Sequence, residues 1–190
     1  MSRKSRRRRP TTTLPLRQRL PWTVIRTVGV FVGVAGIWFY TLVNALCRHH
    51  LWDPFTGFVA TATGWVFRLF GAEVYAAGPT LTVNGTTLTI DFGCNGLEAF
   101  GIFLAAVVAS SSPVRRKLTG LLVGFVGVFI LNLIRACGIF IAAATNPDLF
   151  QYVHHIVGQT FVIVFTMALY LWWELRGDSG RKAKSQALPA

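Results

Sequence analysis

The sequence predicts an all-α membrane protein. It reads as a bundle of four transmembrane helices, with an outer interfacial amphipathic helix and a short β-hairpin between the first two spans. Three observations carry that reading. The 190 residues are 53% hydrophobic and only 14% charged, and the charges leave long apolar runs uninterrupted. The basic residues cluster at 1–26, 115–117 and 176–184, groups that share one side of the membrane if the chain crosses four times. Between residues 80 and 92 the apolar period changes from helical to alternating.

Residues 1–21 are basic and contain proline, and read as a disordered cytoplasmic tail. Arg6-Arg7-Arg8-Arg9 next to a membrane helix reads as a cytoplasmic retention signal attracted to anionic lipid, not as a nucleic-acid site. The apolar segment 22–46 exceeds a signal-peptide core and lacks a small-x-small cleavage site, and Leu46 before Cys47 argues against lipoprotein processing. It is expected to be a retained span.

Residues 54–71 carry Phe55, Phe58, Val59, Ala62, Trp65, Val66, Leu69 and Phe70 at three- and four-residue steps. Thr56, Gly57, Thr61, Thr63, Gly64 and Arg68 fall largely between them. A one-sided stripe fits a helix lying in the interface better than a full span, although a short packed span is the alternative. Then Leu81 and Val83 alternate with threonines, Asn84-Gly85 signals a two-residue hairpin, and Leu88, Ile90 and Phe92 resume the alternation. That turn pairs Leu81 with Leu88 and delivers the chain into Gly93-Cys94-Asn95-Gly96. Three further spans are expected at about 95–111, 118–144 and 152–174, followed by a basic cytoplasmic tail over 176–190. Residues 22–175 thus form one membrane-embedded domain, and no repeat or second soluble domain stands out.

If residues 54–71 do not cross, sixteen of the nineteen basic residues lie on one side, beyond the spans or (Arg26) near the end of the first, with both termini. The other side keeps Arg48 and Arg68 against Asp53, Glu73, Asp91 and Asp148. That asymmetry puts the termini in the cytoplasm. Cys94 then begins the second span at the outer face, His154 begins the fourth there, and Arg135 lies about 12 Å below the outer exit of the third.

A thiol, a buried cation and an imidazole at one level read as an active site, and each has a plainer alternative. Cys94 at a helix start can gain a lowered pKa and oxyanion donors from backbone amides, or can be a small buried residue. A disulfide to Cys47 is a further alternative. Arg135 costs roughly 2.5–3.5 kcal/mol in an apolar helix and needs a partner or a function. Asn132 shares its face, and Glu98 can pair with it across the bundle, as a purely structural lock or beside a role in chemistry. His154 and His155 diverge by about 100°, so one of the two faces the site. The His49-His50 and His154-His155 pairs with Cys47 and Asp53 can instead be read as a zinc site, but adjacent histidines rarely converge on one metal, so neither metal nor cofactor is expected. Against an enzyme stand two other classes, a membrane scaffold locked by Arg135 and Glu98, and a small channel or carrier with Arg135 on an anion path.

Gly93-Cys94-Asn95-Gly96-Leu97-Glu98-Ala99 resembles the Cys-x-Gly nucleophile motif of the exosortase and archaeosortase family. Asn132-Leu133-Ile134-Arg135 is similar to its Asn-x-x-Arg helix, and His154-His155-Ile156-Val157-Gly158 to its His-x-x-x-Gly segment. Order and spacing agree over roughly residues 75–175, and the cysteine motif most resembles the small exosortase H type. Larger members carry several N-terminal spans that this chain lacks.

The resemblance implies a thiol protease or transpeptidase of the cell (inner) membrane, with its site on the periplasmic side. Its partners would be membrane lipids and exported proteins bearing a C-terminal sorting signal, namely a short motif, an apolar helix and a basic tail. Cys94 would form a thioester and His154 (with His155 as the alternative) would carry the proton. Arg135 and amides near Asn95 and Gly96 would hold the oxyanion, supported by Glu98 and Asn132.

Overall fold

The structure, a computed structural model, describes residues 22–91 and 93–186, without the side chains of 147, 148 and 177–186. The tail expected over 1–21 and the position of Phe92 lie outside the described residues.

Helix α1 (Trp22–Val43) is apolar on every side, and of its residues only Leu42 is buried in the protein. Asn44 ends it with an extended backbone, and its Oδ1 accepts from the Leu46 and Cys47 amides at 3.1 and 3.3 Å. The short α2 (Ala45–Cys47) and a π-helical turn (Arg48–Trp52) lead into α3 (Asp53–Leu69), with proline in its first turn. The span expected to end at residue 46 therefore closes three residues earlier.

Helix α3 is amphipathic, but its two faces are used differently from a simple apolar-in arrangement. Its buried residues are Thr56, Val59, Ala60, Thr63 and Gly64, whereas Phe58, Trp65 and Leu69 stay exposed. The small face packs because small residues admit close approach, and Thr56 and Thr63 turn their hydroxyls back to the Trp52 and Val59 carbonyls at 2.8 Å. The bulky stripe is left for an apolar surrounding.

Against α3 lies a three-stranded antiparallel sheet, β1 (Val74–Ala77), β2 (Thr80–Val83) and β3 (Thr86–Thr89), in that order. The expected hairpin is present with Leu81 opposite Leu88, and Asn84 (φ 46) and Gly85 (φ 84) make its turn. The sequence reading missed β1, joined to β2 through Gly78 (φ 58) and Pro79, because four residues with one aromatic carry little alternation. Leu81, Val83 and Ile90 face inward with Val59 and Ala60 of α3 and with Phe140.

Helix α4 (Leu97–Ala109) follows, then α5 (Val114–Thr145), α6 (Pro147–Tyr152), a π-helical turn (Val153–Val157) and α7 (Gly158–Gln186). Among the described residues three helical runs are long and apolar enough to cross a membrane: Trp22–Val43, Val114–Thr145 and Leu149–Arg176. The run expected at 95–111 is the 13-residue α4, about 20 Å long at 1.5 Å per residue and short of a bilayer core of about 30 Å. The fold is a mostly helical, multi-pass membrane bundle with one small sheet.

Helix α4 is the centre of this bundle, in contact with α1, α5 and α7. Phe103 and Val107 of α4 pack with Trp173 of α7. At its N-terminal end Trp38 of α1 donates from Nε1 to the Leu97 carbonyl at 2.9 Å. The Trp38 indole occupies the space of a Cβ on Gly101 (2.0 Å), so only glycine fits there. Gly101→Ala is expected to destabilise the protein by about 1–3 kcal/mol. Gly138→Ala, which would meet nothing within 4 Å, should leave the melting temperature in detergent unchanged.

Candidate active site

The residues singled out in the sequence come from three parts of the fold. Cys94 and Asn95 lie in the turn between the sheet and α4, Arg135 and Asn132 on α5, and His154 and His155 in the π-helical turn before α7.

The turn is built from its own side chains. Asn95 is 2% exposed; its Oδ1 accepts the Leu97 amide at 3.1 Å and its Nδ2 donates to Thr56 Oγ1 on α3 at 3.0 Å. Gly96 then starts α4 at φ 83, a left-handed conformation that a side chain rarely adopts, and a Cβ there would lie 3.1 Å from the Asn132 side chain. The two together hold Cys94 half-buried at the mouth of α4.

Arg135 reaches this turn from α5. It is 7% exposed, and it donates from Nη1 to the Gly93 carbonyl at 3.0 Å and from Nη2 toward Cys94 Sγ at 3.7 Å. Its Nε is buried without a hydrogen-bond partner, as are both amide atoms of Asn132 one turn earlier. Among the described residues the alternative Arg135–Glu98 ion pair is not formed: the Glu98 carboxylate lies 3.8 Å from where a Cβ of Gly93 would stand, and Arg135 directs Nη1 and Nη2 to the turn.

His154 closes the group. Its Nδ1 and Nε2 lie 3.9 and 3.8 Å from Cys94 Sγ, so either tautomer can face the sulfur with an acceptor. Phe150, four residues earlier, stacks on the imidazole at 5.5 Å between centroids and 22° between planes. His155 is exposed and sits 3.2 Å from the Gln151 carbonyl, its ring edge-on to His154 at 4.8 Å. Of the two histidines, His154 is the one within 4 Å of the sulfur. Buried Gly158 explains the four-residue step, because a Cβ there would come within 2.9 Å of Arg135 Nε.

Cys94 and His154 line a cavity of about 50 Å³ with Leu88, Thr89, Ile90, Ala136, Ile139, Phe140 and Phe150. Burial pushes the Cys94 thiol above its ordinary range; the charge of Arg135 and its hydrogen bond pull it back, and Asp91 and Glu98 raise it further. The raised value favours the protonated thiol, and the His154 imidazole and the Arg135 guanidinium both lie beside it. All three cysteines are free, so the Cys47–Cys94 disulfide is not formed. Among the described residues no three His, Cys, Asp or Glu side chains gather as a metal site.

Three participants were not read from the sequence. Phe150 was detectable in principle as an aromatic at i−4 from His154. Thr56 was read only as one of the residues falling between the apolar positions of α3. The Gly93 carbonyl, the main anchor of Arg135, leaves no side-chain signal at all.

A multi-pass helical bundle with a thiol, a guanidinium and an imidazole at one helix mouth defines the class as a membrane protein with a cysteine-type site. Residues 16–173 match the family model for transmembrane exosortase (Exosortase_EpsH), and the chain belongs to that family. At the level of the family this means membrane cysteine proteases and transpeptidases acting on exported proteins with C-terminal signals. No curated protein and no solved structure matches the chain.

The charge balance around the thiol predicts its titration. In a chain whose only cysteine is Cys94, alkylation by iodoacetamide should rise with a pH midpoint above that of a free thiol. Arg135→Gln removes the one group lowering that midpoint and should move it higher. An unchanged or lower midpoint would show that Arg135 does not act on the sulfur.

Proposed function

We propose that this chain cleaves the C-terminal sorting signal of exported proteins, as a cysteine endopeptidase or transpeptidase working through a thioester. The observation that carries the reading is the 3.8 Å approach of His154 to a Cys94 sulfur that Arg135 also contacts. Such a geometry supports proton removal from a buried thiol and charge stabilisation of what forms from it.

In this reading α4 is a fourth, short crossing, the termini are cytoplasmic and the site opens on the periplasmic side of the inner membrane. The sixteen basic residues on one side support that orientation. The shortness of α4 has a consequence: a helix of about 20 Å whose C-terminal end lies near the cytoplasmic boundary starts below the outer one, so Cys94 is recessed. The bulky stripe of α3 then meets lipid at the outer interface. A substrate held by its own membrane helix brings the segment just outside that helix to the same depth, which supplies effective concentration without a large docking surface.

His154 takes the Cys94 proton, and the sulfur attacks the scissile carbonyl carbon. The oxyanion is held by Arg135 with amides near Asn95 and Gly96. When the C–N bond breaks, His154 returns the proton to the leaving amine, and the helix and basic tail depart with a new amino terminus. Water, or an acceptor amine or hydroxyl, then gives its proton to His154 and attacks the thioester, releasing the Cys94 thiol. Asn132 and Glu98 support the turn that aims the sulfur.

The test is co-expression with a tagged exported protein bearing a C-terminal apolar helix and basic tail. Cys94→Ala should insert normally and lower processing by at least about a thousandfold, leaving the precursor. Processing that survives this change would overturn the reading. His154→Ala should cost on the order of 100-fold or more and His155→Ala less than about threefold, as expected when only the first moves the proton. A membrane-impermeant maleimide should reach Cys94 from outside; labelling only from the cytoplasm would reverse the topology.

A further inference from the structure

The two edges of the small sheet are treated differently. An exposed strand edge offers unpaired N–H and C=O groups to any extended chain, and proteins normally blunt it with charge, proline, a bulge or a cover. At the β1 edge Arg68 does this: its Nη2 donates to the Val74 carbonyl at 2.9 Å. Val74 stands opposite Val83 in a pair that exchanges no bonds within the sheet, so this carbonyl points outward.

Among the described residues no charged side chain is bonded to the β3 edge, beside which α5 packs. The β3 residues are Thr86, Thr87, Leu88 and Thr89, without charge or proline. The two-residue turn makes Val83 and Thr86 a bonded pair, so Leu81 and Leu88 are bonded and Thr87 and Thr89 are not. The Ile90 amide donating to the Pro79 carbonyl at 2.9 Å continues that alternation. The close hydroxyl pairs Thr82–Thr87 at 2.8 Å and Thr80–Thr89 at 3.1 Å are what non-bonded positions produce. The amides and carbonyls of Thr87 and Thr89 therefore point away from β2. Both residues are exposed.

This open edge runs into the site. Leu88, Thr89 and Ile90 line the same cavity as Cys94 and His154, facing Ile139 and Phe140 of α5. Four residues at about 3.3 Å each give a template of about 13 Å, the length of a short linear motif.

We propose that the β3 edge is the recognition element for the substrate: the extended motif next to the scissile bond adds to the sheet as a fourth strand, pairing its backbone with Thr87 and Thr89. Resting on the proposed peptidase function, this deepens it. Backbone pairing gives affinity with little side-chain demand and threads the peptide toward Cys94. It also supplies grip in a chain that has no large outer domain among its described residues.

The experiment uses the full chain in lipid nanodiscs with a tagged substrate carrying motif, apolar helix and basic tail. Thr87→Pro and Thr89→Pro each delete one outward donor and no bond of the sheet itself. Each should lower kcat/KM by roughly tenfold or more, mainly through KM, with Cys94 alkylation by iodoacetamide unchanged. Ala76→Pro, which removes the equivalent outward donor from the β1 edge, should stay within about twofold of wild type. Proline variants that process normally, in a protein where Cys94→Ala does not, overturn the edge alone. Processing by Cys94→Ala overturns the function, and the edge with it.

Should the proline variants fail to insert, a p-benzoylphenylalanine photocrosslinker at position 87 or 89 in Cys94→Ala decides the matter. Crosslinks mapped by mass spectrometry to the residues preceding the substrate's apolar helix support the proposal. Crosslinks to a second copy of this chain, or equal yield from a crosslinker at position 75 on the other edge, overturn it.

Discussion

The burial of one guanidinium organises this protein. Arg135 sits in an apolar helix at a cost of roughly 2.5–3.5 kcal/mol and is 7% exposed. It meets that cost with a backbone carbonyl, Gly93, and with the Cys94 sulfur, both in the turn that joins the sheet to α4. The bond fixes α5 against that turn, and through Gly158 it also sets how closely α7 approaches. A carboxylate partner would have neutralised the charge; a carbonyl and a thiol do not, which is what the proposed oxyanion role requires.

The opposite end of the bundle shows the contrasting use of arginine. Arg116 donates to the Trp173 and Glu174 carbonyls at 2.6 and 2.8 Å, and it stacks over the Trp173 ring at 4.6 Å. Its Nη2 lies 3.8 Å from Glu174 Oε2. That arginine ties α5 to α7 with every interaction directed inward. Arg135 keeps its Nε buried without a partner, beside the equally unpartnered amide of Asn132.

The sheet and α3 complete the arrangement by supplying support from outside the bundle. Asn95 is bonded to Thr56 of α3, α3 packs on β1 and β2, and β3 contributes to the wall beside Cys94. The small face of α3 is what allows this: Thr56, Val59, Ala60, Thr63 and Gly64 admit the strands closely, and Phe58, Trp65 and Leu69 are turned away. In the proposed function, recognition at β3 and chemistry at Cys94 would lie next to each other along the chain, just before α4.

Residue type and spacing by themselves determined the helical membrane class, the Leu81–Leu88 register and the three motifs that carry the family. Each of these is a local or one-dimensional property: hydropathy over a span, period two around an Asn-Gly turn, an arginine where apolar residues surround it. Tertiary structure decided the rest. Arg135 bonding to Gly93 rather than Glu98, His154 rather than His155 near the sulfur, and the burial of the small face of α3 all depend on which elements meet. The π-helical turn that rotates His154 inward, and a carbonyl that accepts from a side chain 42 positions away, have no signature in composition or period. They arise only when packing brings separate parts of the chain within hydrogen-bond reach.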